Sequence, residues 1–525
     1  MPPLVDLDFY RVAGLLKPGL ASIPLRVQVR RVAFVHPNIL VFMTDQEQAD
    51  VVSPAHPCIT PRAERFASEG ITFASTYAPT AHCCPSRATF FTGLYPSRHG
   101  IHNNVNTSTA INYGLNEGVE TFSERLRESG YRMPFSGKWH VSACEAAADR
   151  GWDELVPSTP VKASGRSVPK DVDRWAGLAY EERLPPRIPG HVQRPGWGDF
   201  EVYRTLEDSG DKAYEALADY RVVSRAVDWL HNEAVREDTP WMMWVGPIGP
   251  HDPFNVPRRY RDMYDAAGIE LPESYGDSLR DKPAVYQRQR RQLWDQLTPD
   301  EVRDSIAHYW AYCTLEDALF GEVLDALEAT GQADDTLVLF MSDHGDYCGA
   351  HGLYLKGIPA FREAYHVPCI ARWPNGIRNP GRSVDRLVSM ADFAPTFLDL
   401  AGVSSDQRHS GASLVSFLED REPDNWRSHL CTQLNGVELY YTQRAVFSDR
   451  FKYVFNGFDF DEFYDLEKDP HEMVNRIDDS SYEEVRKDLI KHLWEFARQE
   501  DDHIFNPYGT VALLPYGPTL ANADD

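Results

Sequence analysis

Four short apolar runs in this chain each break off at a cluster of residues able to do chemistry. Asn38 to Met43 runs into Thr44-Asp45-Gln46, and Arg132 to Phe135 leads into Ser136-Gly137-Lys138-Trp139-His140. Trp241 to Val245 leads into a glycine- and proline-rich loop ending at His251, and Thr336 to Met341 into Ser342-Asp343-His344-Gly345. Near-continuous apolar strands that alternate with helical segments predict a parallel sheet covered on both faces. In such sheets the site lies beyond the carboxyl ends of the strands, where all four polar clusters fall.

The segments between the strands read as helices. Thr298-Pro299-Asp300-Glu301 is a capping box with proline at the first helical position. Tyr309 to Leu327 has apolar residues at helical spacing, with Gly331 as terminator, and feeds the strand that ends at Asp343. Val161 to about Arg204 is rich in Pro, Gly and Trp and reads as long loops over the site. After Glu422 the character changes. Short strands are expected over Arg444 to Ser448, Lys452 to Phe455 and Phe458 to Leu466. Ser481-Tyr482-Glu483-Glu484 is then expected to cap a helix with Val485, Leu489, Leu493 and Phe496 on one side. The expected organisation is an N-terminal extension over 1–36, a catalytic domain over 37–422 and a smaller α+β subdomain over 423–525.

A length of 525 residues suits one large domain and a smaller one. With 53 basic against 79 acidic residues, the net charge of −26 argues against nonspecific binding to nucleic acid or anionic membranes. An anionic substrate would need a local basic pocket working against that field. No run of about 18 apolar residues appears, so no transmembrane helix is expected. Val12 to Leu25 is interrupted by Lys17, Pro18 and Pro24 and preceded by Asp6 and Asp8, a poor secretory signal. A cytoplasmic location is the expectation, and the N-terminal arm could join copies of the chain into a homo-oligomer. The 8 cysteines are scattered without C-x-x-C spacing, so neither a zinc ribbon nor a disulfide scaffold is indicated.

Cys83-Cys84-Pro85-Ser86-Arg87 is followed by Ala88-Thr89-Phe90-Phe91-Thr92-Gly93. Alone, a vicinal cysteine pair reads as buried thiols or as a soft-metal or redox pair. Here Pro85 can start a helix with Cys83 just before it, and a helix N-terminus favours an anion. Arg87 adds a planar fork that matches sulfate or phosphate oxygens. Asp45, Gln46, Asp343 and His344 supply two carboxylates, an amide oxygen and an imidazole. That set suits one divalent cation, without separating Ca2+ from Mn2+ or Mg2+; the imidazole slightly favours Mn2+.

The C-x-P-S-R…T-G stretch resembles the signature of the type I sulfatases of the alkaline phosphatase superfamily. In them this cysteine is oxidised to formylglycine (3-oxoalanine) by a formylglycine-generating enzyme. Gly137-Lys138-Trp139-His140 resembles their G-K-W-H element, where the lysine contacts sulfate and the histidine holds the formylglycine hydroxyl. Pro250-His251-Asp252-Pro253-Phe254 resembles P-H-x-P-F, whose histidine faces the leaving oxygen. Lys356 matches the lysine bridging sulfate and leaving group, and Asn104 is a looser match to a substrate-side contact. Ser389 to Val403, Glu462 to Leu466 and Asp469-Pro470 extend the similarity. The resemblance implies Ca2+ as the metal. It also implies an α/β fold with a large mixed, mostly parallel sheet sandwiched by helices and a smaller α+β C-terminal subdomain.

The implied function is hydrolysis of a small-molecule or carbohydrate sulfate ester to an alcohol and inorganic sulfate. The Asp45-Gln46 and Asp343-His344 pairs look like those of choline sulfatases and phosphonate monoester hydrolases in the same superfamily. A phosphonate monoester or phosphodiester hydrolase is therefore the alternative, and those relatives typically lack G-K-W-H. A non-catalytic metal-binding or thiol-redox protein ranks last, because it leaves Lys138, His251 and Lys356 without a role.

Overall fold

A computed structural model describes residues 36–107, 109–157, 186–194, 198–207, 217–236, 239–436, 439–513 and 515–522. The expected N-terminal extension, except for residue 36, and much of the Val161–Arg204 stretch lie outside them. The main sheet has eight strands: β1 (Asn38–Thr44), β2 (Ile71–Phe73), β3 (Pro134–Gly137), β4 (Asp153–Glu154), β5 (Met242–Gly246), β6 (Thr336–Ser342), β7 (Cys369–Arg372) and β8 (Arg382–Val384). Their order is β8-β2-β7-β6-β1-β5-β3-β4. Only β7 runs antiparallel to its neighbours; every other pairing is parallel.

The unbroken apolar character of β1 follows from burial on both faces. Leu40 and Phe42 enter one core, and Ile39, Val41 and Met43 enter the other. The β1–β6 register runs from Asn38 opposite Thr336 to Thr44 opposite Ser342. Asp45 and Asp343 therefore leave adjacent strands at the same level.

Helices close both faces. On one, α2 (Ala218–Asn232) packs against α3 (Pro299–Ala329). The α3 helix joins the Thr298 capping box and the apolar stretch from Tyr309 into one element. Thr298 Oγ1 accepts from Glu301 N–H at 3.3 Å, and Glu301 Oε2 accepts from Thr298 N–H at 2.9 Å. Gly331, at φ 70°, turns the chain out of the helix toward β6. The other face holds α1 (Cys83–Thr92), every residue of which is buried. Phe90 and Phe91 of α1 pack there with Phe122, Trp244 and Phe393.

In the stretch expected to be loops, His191–Arg194 pairs antiparallel with Gly198–Glu201. Tyr203–Leu206 pairs parallel with Phe254–Pro257, just after His251. Here residues expected to be irregular pair locally in a hairpin over 191–201, and only Tyr203–Leu206 finds its partner on a segment distant in sequence.

The C-terminal subdomain is a four-stranded antiparallel sheet, β9 (Leu430–Leu434), β10 (Gln443–Phe447), β11 (Phe451–Asn456) and β12 (Glu462–Asp465). Across it lies α4 (Glu483–Gln499), whose Leu489, Ile490, Leu493 and Trp494 share a core with Val446, Tyr453 and Phe463. Its cap differs from expectation. A 3-10 turn over Ser480–Tyr482 precedes α4, so the capping carboxylate is Asp479, accepting from Ser481 N–H at 3.0 Å. Gln433 N–H donates to Pro79 O at 2.8 Å, tying β9 to the segment that leads into α1.

Candidate active site

The α1 helix begins at Cys83, with His82 extended before it, so Pro85 is its third residue and not its first. Proline is harmless there, because the first turn of a helix has no internal acceptors for its N–H groups. Ser86 N–H makes the first helical bond, to His82 O at 3.1 Å. The two cysteines part company at this turn. Cys84 Sγ faces the core and accepts from Val105 N–H at 3.4 Å, and burial pushes its thiol far up. Cys83 Sγ faces the strand ends instead. Asn104 Oδ1 accepts from Cys84 N–H at 3.1 Å, so Asn104 holds the helix start.

Around Cys83 Sγ four ligand atoms, from Asp45, Cys83, Asp343 and His344, lie within 4.8 Å of one another, all buried. His344 Nε2 is 3.1 Å from Cys83 Sγ and 3.7 Å from both Asp45 Oδ1 and Asp343 Oδ1. His344 Nδ1 is 2.9 Å from Gly345 O, the contact of an Nδ1–H donor, which leaves Nε2 facing the cluster. The outer oxygens are taken by cations. Arg87 Nε and Nη2 donate to Asp343 Oδ2 and Asp45 Oδ2, and Lys138 Nζ also meets Asp45 Oδ2. Arg87 Nη1 donates to Lys138 O at 3.1 Å. With no exposed surface, the Arg87 fork orients these carboxylates rather than facing open space. Two carboxylate oxygens and one imidazole nitrogen converging in a dry pocket fit a divalent cation.

The charges here are strongly coupled. Burial works to raise the Cys83 thiol, but Lys138, Lys356 and His344 overcome it and hold the group well below the usual thiol range. Burial and Cys83 likewise oppose ionisation of Asp45, and Lys138, His251 and Arg87 reverse that, leaving its carboxyl below its ordinary range.

A second tier of contacts surrounds this cluster. Gln46 N–H donates to Asp343 Oδ1 at 3.2 Å, while Gln46 Oε1 accepts from Lys356. Gln46 Nε2 donates to Asp346 Oδ2 at 2.5 Å and to Asp252 Oδ1 at 3.2 Å. Lys356 Nζ lies 2.7 Å from His251 Nε2, and His251 Nδ1 lies 2.8 Å from Asp252 O. His140 is half-buried beside Cys83, with its ring nitrogens enclosed, and burial, then Lys138, lowers its pKa.

Backbone strain collects in the same place. Gln46 has φ 75° and His140 φ 52°, both in the left-handed region that non-glycine residues avoid. Gly137 has φ 110°, and a Cβ there would stand 2.1 Å from Gly246 O, so this position of the G-K-W-H element accepts only glycine.

Asp45, Gln46, Cys83, Arg87, Lys138, His140, His251, Asp343, His344 and Lys356 thus come together, and Asn104 reaches them through Cys84. Sequence reasoning missed Asp252, Asp346 and Tyr309. Asp346 also accepts from Cys348 N–H at 2.6 Å and Leu355 N–H at 3.0 Å, and burial raises its carboxyl to about 7. Tyr309 OH donates to Gln46 O at 2.9 Å and accepts from Gln48 N–H at 2.9 Å, fixing the strained turn. Asp252 lay inside the quoted P-H-D-P-F and Asp346 two residues past His344; their nearness to ligand positions was the available signal.

A mixed, mostly parallel sheet thus carries this buried cluster beyond its strand ends. The chain matches the family model described as Sulfatase over residues 37–403. It also matches the one described as N-sulphoglucosamine sulphohydrolase, C-terminal, over residues 349–499. It belongs to the sulfatase family and is a sulfuric ester hydrolase. It is 30% identical over 487 residues to the uncharacterized sulfatase YidJ of Escherichia coli, covering 90% of this chain and 88% of that one. It is 30% identical over 455 residues to a choline-sulfatase of Rhizobium meliloti, covering 84% and 82%. Its fold is similar to that of a phosphonate monoester hydrolase of Agrobacterium radiobacter. That match has a TM-score of 0.71 and 23% identity over 88% of this chain and 96% of the other.

Proposed function

We propose that the chain hydrolyses a sulfate monoester with a formylglycine made from Cys83, assisted by one divalent cation, Ca2+. The observation that carries this reading is the meeting of Cys83 Sγ with Asp45, Asp343 and His344 while Lys138 and Lys356 flank the same point. Asp45, Asp343 and His344 would hold the cation, joined by Gln46 Oε1 when Lys356 turns to substrate. Such an ion supplies charge neutralisation at the sulfate and a lowered pKa for the nucleophile. A hydrated formylglycine supplies one hydroxyl for attack on sulfur and a second whose collapse expels sulfate.

The remaining work falls to the chain's own side chains. Lys138 and Lys356 meet the negative charge on the sulfate oxygens. His140, beside Cys83, holds the nucleophile through a ring nitrogen. Lys356 and His251, whose side-chain nitrogens lie 2.7 Å apart, give a proton to the departing alkoxide. Asp252 and Asp346, through Gln46, keep that lysine in place. The separate fates of the two thiols weigh against a redox pair.

Mass spectrometry of the peptide containing residue 83, from a host with the maturation enzyme, should find an aldehyde in place of the thiol. Cys83→Ala should abolish turnover while the melting temperature stays near that of the parent; undiminished activity would sink the mechanism. Paired aryl sulfate and aryl phosphonate esters separate sulfatase from phosphonate hydrolase. The Asp45-Gln46 and Asp343-His344 pairs favour testing both, and a clear phosphonate preference would reverse the assignment.

A further inference from the structure

Two acids meet behind the loop that carries His251. Asp219 is the second residue of α2, and Glu316 lies on α3 one turn after Tyr312. Both are buried. Asp219 Oδ1 accepts from Ile248 N–H at 2.6 Å, and Asp219 Oδ2 accepts from Tyr312 OH at 2.9 Å. Gly249 N–H reaches the same carboxylate. Among the described residues no N–H or hydroxyl donates to either Glu316 oxygen, and the hydrogen-bonding neighbour left to it is Asp219.

Two carboxylates cannot bond to one another, because neither has a hydrogen to give. One proton must lie between them. Asp219 already collects backbone and phenol donors, which favour its charged form, so Glu316 is the member that keeps the proton. A neutral acid also suits a side chain with no exposed surface.

The pair presses on the loop. A Cβ on Gly249 would stand 2.1 Å from Glu316 Oε1 and 2.3 Å from Tyr312 Cε2, so only bare backbone fits against α3 here. That backbone has contacts on its other side too. His251 N–H donates to Ile248 O at 3.1 Å, and Asp45 N–H donates to Gly249 O at 3.0 Å. Ile248 and Gly249 therefore give their N–H groups to the acid pair and their carbonyls to two residues of the catalytic cluster. A pair that only fastened α2 to α3 would have no need of these loop amides.

We propose that Asp219 and Glu316, as a carboxylate and its acid partner, are positioning residues that hold Ile248 and Gly249 so that His251 reaches the leaving oxygen. This inference rests on the reading of His251 as a proton donor.

The test compares Glu316→Leu, which removes the hydrogen-bond donor, with Glu316→Gln, which restores one, and runs His251→Ala beside them. On an alkyl sulfate Glu316→Leu should lower kcat about 10²-fold, the cost of a misplacement near 1 Å, with KM little changed. The loss on 4-nitrophenyl sulfate should be much smaller, and Glu316→Gln should stay near the parent on both. Amide exchange over residues 246–251 should quicken roughly tenfold in Glu316→Leu and not in Glu316→Gln. Where Glu316→Leu folds poorly, Asp219→Asn, which keeps the shape but loses the charge, should show the same leaving-group dependence and the same faster exchange. If His251→Ala separates the two esters and these variants do not, the inference falls while the His251 reading stands. If His251→Ala fails to separate them, the proton-donor reading falls by itself, and unchanged exchange in the variants overturns the clamp as well.

Discussion

Arg87 Nε donates to Asp343 Oδ2 at 2.7 Å while its Nη2 donates to Asp45 Oδ2 at 3.2 Å, so one guanidinium clamps carboxylates from two neighbouring strand ends. Removing it strands two buried carboxylates. Arg87→Ala should cost about 3–5 kcal/mol of stability, read by chemical denaturation, besides its loss of activity. Arg87→Lys keeps the charge but not the fork, and should recover only part of that stability.

His251 and Lys356 share the task of donating a proton in the proposed reaction, which makes leaving-group chemistry the probe. His251→Ala should lower kcat about 10²- to 10⁴-fold on an alkyl sulfate, whose alkoxide needs the proton. On 4-nitrophenyl sulfate, whose leaving group is a weak base, the loss should be much smaller. Equal losses on both substrates would remove His251 from that role.

Stability should fall at both ends of the pH scale, for opposite reasons. Burial lowers His99 from 6.5 to about 3 and His366 from 6.5 to about 4. The folded state then binds fewer protons than the unfolded one, so their contribution is complete above pH 6.5 and drains away below it. Glu316 is raised well above 4.5, first by burial and then by Asp219 and Glu47, so the folded state keeps a proton that the unfolded state releases. Stability from that group is lost as pH rises beyond 4.5. Melting temperature against pH should therefore show a maximum, and Glu316→Gln should flatten its alkaline side.

Thr298→Ala removes the acceptor at the head of α3 and should cost about 1 kcal/mol. Glu301 should matter more than an ordinary capping residue. Its carboxylate also accepts from Gly190 N–H at 3.1 Å and pairs with Arg187 at 2.6 Å. Glu301→Ala should therefore sharpen proteolysis near Arg187 as well as lower the melting temperature.

Much of this is legible in the sequence. The runs Ile39–Met43 and Leu337–Met341 are apolar at every position because both their faces are covered, and that pattern survives in sequence. The Thr298 box and Gly331 mark the ends of α3 by their chemistry alone. What stayed hidden depends on partners distant in sequence. Nothing in Cys369–Arg372 tells that β7 runs against its neighbours, since four residues carry no direction. The motif puts Arg87 near an anion without telling whether that anion is substrate or carboxylate. Asp252 and Asp346 have no periodicity to betray them, and their role appears only when Gln46 arrives from the far end of the chain.

The placement of β1 at the heart of the sheet has a consequence for synthesis. Its partners begin at Met242 and Thr336, roughly 200 and 300 residues further along, so at about 5–20 residues per second the emerging strand waits roughly 10–60 s for neighbours. During that wait Asn38–Thr44 is an unpaired hydrophobic strand that a chaperone would recognise. Cys83 emerges in the same interval and is only 1% exposed once the fold closes. An enzyme acting on this side chain, as the proposed formylglycine requires, would have a temporal window set by the order of the strands.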